Sequence, residues 1–249
     1  MANRQVNLPA PTVIDAANGL MIGQLTLLYS KVLFEVAISI INGANFLSIP
    51  GAWLVLTLVL VVPALMLLNL LVGWIATRNT FNEFEQYPNN LFAIDVLIIV
   101  VSFILVNMIS FSMLPAGSSD YLTTILFPSN SLKNSIISHT AILESNVVRV
   151  LPPFIYGCSG ILLSLMLVWN KTYVKEKKRI TGKKVDNSEL NQTNEIINIS
   201  LPVHFFLVIG SCLFDSVVVE LACVAIWSTI WTSLNVHWIL TSPLKTSLD

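Results

Sequence analysis

The residues of this chain that could do chemistry are few, and most of them interrupt long apolar runs. Gly157-Cys158-Ser159-Gly160 sets a serine among small residues, as a nucleophile requires, and His204 follows 45 residues later as a candidate base. Such a pair works only with its heavy atoms about 3 Å apart. Ser159 lies toward the start of one apolar run and His204 at the start of the next, on the far side of a polar loop. The two are therefore expected at opposite depths, and no catalytic residue is expected. His139, His204, His237 and the three cysteines, Cys158, Cys212 and Cys223, have no ligand spacing. Neither a metal nor a cofactor is expected, and the cysteines read as small buried hydrophobes.

Polar residues inside apolar runs are costly, so their angular placement is informative. Gln24, Lys31, Glu35 and Asn42 are offset by 0, 7, 11 and 18 residues. At about 100° per residue they fall within about 20° of one line. This is the pattern of a pore-lining helix, and equally of a buried polar seam or an interfacial amphipathic helix. If the last apolar segment is one helix, His204, Ser211 and Asp215 form a second line, with Glu220 about 160° away from His204. Lys31 is then the basic residue expected to pair with Glu220 or Asp215, either in an ion pathway or in a cluster that holds helices together. Asp95, early in its run, is expected to reach the nearby interface. Gly157, Gly160 and Ser164 form a small-residue face suited to close helix packing, including between subunits. Trp227, Trp231 and Trp238 share a face and are expected to anchor at an interface.

Basic residues concentrate in one place. Lys171, Lys175, Lys177, Lys178, Arg179, Lys183 and Lys184 are seven of the 13 Lys and Arg residues. The excess of such residues marks cytoplasmic loops. The same cluster could contact anionic lipid headgroups or dock an acidic cytoplasmic protein.

The elements that position these groups follow from composition. Only 11% of the 249 residues are charged and 55% are hydrophobic, with a mean hydropathy of +0.76. Soluble domains carry about 25% charged residues. The fold class is an all-α integral membrane protein, a helical bundle of four to five transmembrane helices. A span needs roughly 20 apolar residues. Segments 53–76, 91–113 and 151–169 qualify cleanly, while 20–42 is long enough but carries Lys31 and Glu35. Residues 1–19 are expected as a short interfacial or cytoplasmic segment, with Thr12 and Asp15 as a capping box and an end near Gly19. Residues 114–150 read as an external loop and 171–198 as a basic cytoplasmic loop, its polar stretch 186–195 expected to be flexible. In 199–249 the favoured reading is one span with a Trp-rich interfacial end, a break near 210–215 being the alternative.

Three function classes follow. The first is a non-enzymatic membrane subunit, self-associating as a homo-oligomer, that anchors or signals to a soluble cytoplasmic partner. A bacterial stress or phage-defence system would be one setting, with no residue that singles it out. The second is an oligomeric channel lined by Gln24, Lys31, Glu35 and Asn42, and the third a small ion- or proton-coupled transporter using His204, Asp215 and Glu220. The expected location is a bacterial inner membrane, in contact with anionic lipids. A net charge of −1 gives no reason to expect nucleic acid.

Overall fold

The computed structural model describes residues 10–41, 50–84, 86–113, 146–182, 188–214 and 216–241. Within them lie six helices: α1 (Ala10–Ile41), α2 (Pro50–Asn82), α3 (Asn89–Met113), α4 (Asn146–Thr181), α5 (Ser188–Leu213) and α6 (Val217–Thr241). Five stretches are long and apolar enough to cross a membrane: Leu56–Phe81, Asn89–Ile109, Leu151–Thr181, Leu190–Leu213 and Val217–Leu240. An all-helical chain with this content has the character of a multi-pass membrane protein.

α1 shows why. Ile14, Met21, Leu25, Leu28 and Val32 face inward and are buried, as helical spacing requires. Leu20, Leu27, Phe34 and Ile41, seven residues apart, face outward, with Leu27 76% exposed. A helix apolar on both faces suits a lipid surround and not water.

The helices close into a ring in which each packs mainly on two others, in the order α1, α2, α6, α5, α4, α3 and back to α1. Contacts between side chains fix the direction of each helix. Asp15 on α1 meets Trp74 and Arg78 on α2. Asp95 on α3 meets Trp169 on α4, Asn170 on α4 meets Asn194 on α5, and His237 on α6 meets Thr193 on α5. The start of α1, end of α2, start of α3, end of α4, start of α5 and end of α6 therefore share one end of the bundle, the basic end. Ser211 on α5 meets Glu220 on α6 near the other end.

Three sequence expectations change here. α1 does not end near Gly19; it runs unbroken through Gly19 and Gly23, where a Cβ would meet nothing within 4 Å. A helical glycine costs about 1 kcal/mol, which apolar packing on either side easily offsets. The expected capping box is absent, because Asp15 sits inside α1 and turns to α2. Second, the last apolar segment is two helices, not one. The Glu220 N–H bonds to the Ser216 carbonyl at 3.0 Å, so Ser216 stands at the N-cap of α6, a position its hydroxyl suits. Third, the basic loop is helical where it is described: residues 188–195, within the stretch expected to be flexible, belong to α5. α4 continues to Thr181, and Gly182, at φ +64, ends it in the left-handed conformation glycine adopts without strain. A small aromatic core of Phe84, Leu91 and Tyr173, with Tyr87 and Trp169 against it, braces this extension.

Candidate functional site

Among the described residues, three polar centres lie within the bundle. The first is at the basic end, around a cavity of about 100 Å³ inside the ring. Asp95 forms part of its wall and is only 5% exposed. The Tyr87 hydroxyl donates to Asp95 Oδ2 at 2.7 Å, and the Trp169 indole N–H donates to Oδ1 at 2.9 Å. Asp95 therefore does not reach solvent as the sequence suggested: α4 and the 83–88 turn close over it. The burial of Tyr87 and the carboxylate beside it push its phenol far above the usual tyrosine range. Asn18 of α1 and Ser102 of α3 line the same cavity, both nine-tenths or more buried. Neither side chain hydrogen-bonds to any described residue. Trp74 and Trp238 also face the cavity.

Beside this centre, Asp15 accepts from Trp74 Nε1 at 2.6 Å and from the Arg78 guanidinium at 3.0 to 3.2 Å. Partial burial pushes the Asp15 carboxyl up, but the Arg78 and Trp74 donors outweigh it and hold it below the usual range.

The second centre joins α4, α5 and α6. His204 is buried, its Nδ1 lies 2.9 Å from the Ser200 carbonyl, and Trp231 donates its indole N–H to Nε2 at 3.2 Å. A carbonyl only accepts and an indole only donates, so His204 is the neutral tautomer with its proton on Nδ1. Trp227 donates to Ser159 Oγ at 3.0 Å. Ser159 and His204 lie at the same depth, because a Cβ on Gly160 would stand 3.6 Å from the His204 Cβ. The expected separation fails because α5 begins at Ser188, which puts His204 well inside its helix. Proximity does not make a nucleophile–base pair: both imidazole nitrogens are engaged elsewhere. Trp227 and Trp231 are not interfacial anchors but the largest fully buried side chains among the described residues. Periodicity marks a shared face, not whether lipid or protein covers it.

The third centre is the Ser211 hydroxyl donating to Glu220 Oε1 across the α5–α6 hairpin. A straight helix would have kept these residues apart; the break at 214–216 brings them together. Asp215 and Asn42 lie outside the described residues, as does the Glu35 side chain. Gln24 is half-buried and donates to Asn107 on α3 at 3.2 Å, while Lys31 is exposed on α1. Neither lines the cavity, and Lys31 is not brought to Glu220. Gly157 and Gly160 admit α5, a Cβ on Gly157 falling 4.0 Å from Val208, whereas Ser164 is exposed. Cys158 and Cys223 are buried as expected, and Cys212 is exposed.

At the basic end, Lys171, Lys175, Lys178 and Arg179 are exposed on the α4 extension. Lys177 turns inward, 2.8 Å from Glu83 and 2.6 Å from the Tyr173 hydroxyl, which itself bonds Glu83. Asn90 donates to Glu176, and Arg179 pairs with the same carboxylate at 2.9 Å. Lys183 and Lys184 lie outside the described residues. No group of His, Cys, Asp and Glu side chains suited to a metal occurs among the described residues.

The chain matches no protein-family model, and neither a curated protein nor a solved structure is similar to it.

Proposed function

We propose that the protein is a non-enzymatic, multi-pass membrane subunit that docks a soluble cytoplasmic partner through the basic end of its bundle. Under this reading the membrane is a bacterial inner membrane, and the basic end is cytoplasmic, as the bias of Lys and Arg implies. The observation that carries the reading is the division of labour on the α4 extension. Tyr173, Glu176 and Lys177 face inward and are fastened to Glu83 in the turn after α2 and to Asn90 on α3. Lys171, Lys175 and Lys178 project outward along one face. A segment whose charges served only topology would need no such bracing.

Distance separates lipid contact from protein docking. If Trp169 marks the interface, Lys171 stands about 3 Å beyond it and Lys178 about 13 Å, at 1.5 Å per residue. Attraction to anionic headgroups fades over a Debye length of about 8 Å. Lys171 and Lys175 are then within reach of lipid, while Lys178 is left to an acidic protein surface.

The test is cross-linked pull-down from native membranes with wild type and with a Lys178→Glu variant. A discrete partner recovered by the wild type and lost from the variant is expected. Equal recovery by both sinks the docking role. A second reading, an oligomeric channel, draws on one observation: Lys31 is exposed on the outer face of α1, where a pore between subunits would need it. Cysteine labelling at positions 24 and 31 no faster than at Leu27 would remove that reading.

A further inference from the structure

The cavity beneath the aromatic core raises a question independent of docking. It lies inside the ring, in reach of α1, α2, α3 and α4, and its 100 Å³ or so would hold about three waters at liquid density. Its wall carries a carboxylate, Asp95, which is 5% exposed and has only neutral hydrogen-bond partners, Tyr87 and Trp169. Each Asp95 oxygen accepts one of these bonds and keeps further lone-pair capacity. The nearby cations are committed elsewhere: Arg78 to Asp15, Lys177 to Glu83, and Arg179 to Glu176.

Two more polar side chains line the same space. The Asn18 carboxamide is 8% exposed and the Ser102 hydroxyl residue 4% exposed, and neither has a hydrogen-bond partner among the described residues. Buried polar side chains are nearly always satisfied, so two unsatisfied groups facing one cavity beside an uncompensated carboxylate point to something that binds there.

We propose that this cavity binds a single alkali-metal cation through Asp95, Asn18 and Ser102. The donors are hard oxygens, which suit alkali and alkaline-earth ions and not thiolate- or imidazole-loving metals. One carboxylate balances one positive charge, which selects a monovalent ion over Mg²⁺ or Ca²⁺. An organic ammonium would use the tryptophan faces instead. Those of Trp74 and Trp169 are occupied in part, by the Arg78 guanidinium at 4.9 Å and by the stacked Tyr173 ring at 5.4 Å. Asn69, half-buried on α2, lines the cavity too and supplies a fourth oxygen.

The tryptophans on the cavity wall report occupancy. The full chain in lipid nanodiscs is titrated with NaCl, and separately with KCl, at fixed pH, with choline chloride holding ionic strength constant. A saturable change in tryptophan fluorescence is expected for at least one of the two ions. The apparent Kd should weaken at least tenfold in Asp95→Asn and at least threefold in Ser102→Ala. The Lys178→Glu variant should titrate like the wild type, which separates this site from the docking surface. A response to both salts no different from choline chloride means the cavity holds water alone, and overturns the proposal. So does an unchanged Kd in Ser102→Ala, a variant that leaves the Asp95 hydrogen bonds in place and decides the matter if Asp95→Asn fails to fold.

Discussion

The Trp169 indole N–H and the Asp95 carboxylate meet at 2.9 Å across the seam between α4 and α3. With Tyr87 on the other oxygen at 2.7 Å, this bond ties the end of one helix, the start of another and the turn before it to one charge. Hydrogen bonds to a charged group contribute about 1.5–3 kcal/mol each. Trp169→Phe and Tyr87→Phe should each lower stability by about that amount. Because they share a carboxylate, their effects should not add, and a double-mutant cycle on denaturation midpoints in detergent measures the coupling. Simple additivity would mean that the two donors act independently.

Acid should act on the Asp15–Arg78 pair. The folded-state carboxyl is held below its ordinary value, so its contribution is present above the unfolded pKa of about 3.9 and is lost as pH falls through the lower folded value. Arg78 is 57% exposed, so the contribution is small, at most about 1 kcal/mol. Asp15→Asn should be slightly less stable than wild type at neutral pH and indistinguishable from it well below pH 4, by thermal melts across that range. A gap that widens in acid would contradict this sign.

Gly160 gives a graded test of the α4–α5 contact. A Cβ there would make an ordinary 3.6 Å contact with the His204 Cβ. Gly160→Ala should be neutral or stabilising by up to about 1 kcal/mol, through helix propensity. Gly160→Leu should drive side-chain atoms into His204 and destabilise by about 1–3 kcal/mol or more. Equal stability of all three, measured by midpoint in denaturant, would show that the helices are not this close.

Trp231→Phe tests the histidine. Removing the indole N–H leaves His204 Nε2 without its donor in a buried setting, at a cost of about 1–3 kcal/mol. The imidazole ¹⁵N spectrum should report the proton on Nδ1 in the wild type. A spectrum with the proton on Nε2 would overturn the assignment.

The break between α5 and α6 sets the side on which the chain ends. With both helices crossing, tags at the N-terminus and at the C-terminus should be accessible from the same side, along with a cysteine placed at Lys183. A single last span would put the C-terminal tag on the opposite side. Protease protection in vesicles of known orientation distinguishes the two.

Much of the architecture was legible in the residues. Three long apolar runs, the paucity of charge and the cluster from Lys171 to Lys184 dictate a multi-pass helical chain with one strongly basic end, because an apolar run of about 20 residues satisfies its own backbone only as a helix. The Ser216 cap was not read from the sequence, because an unbroken run of hydrophobes on both sides masks a cap of one residue. Hydrophobicity could not say which face of a helix meets protein, since lipid and protein interiors are equally apolar. So the lines drawn through Gln24 and through His204 named shared faces without naming their neighbours. Only the ring closure decided that Trp227 and Trp231 are buried donors, that Ser211 meets Glu220, and that Asp95 is shut in beneath Tyr87 and Trp169. These pairings join residues 8 to 74 positions apart, and most of their partners are chosen by helix order around the ring, a long-range property that no local pattern encodes.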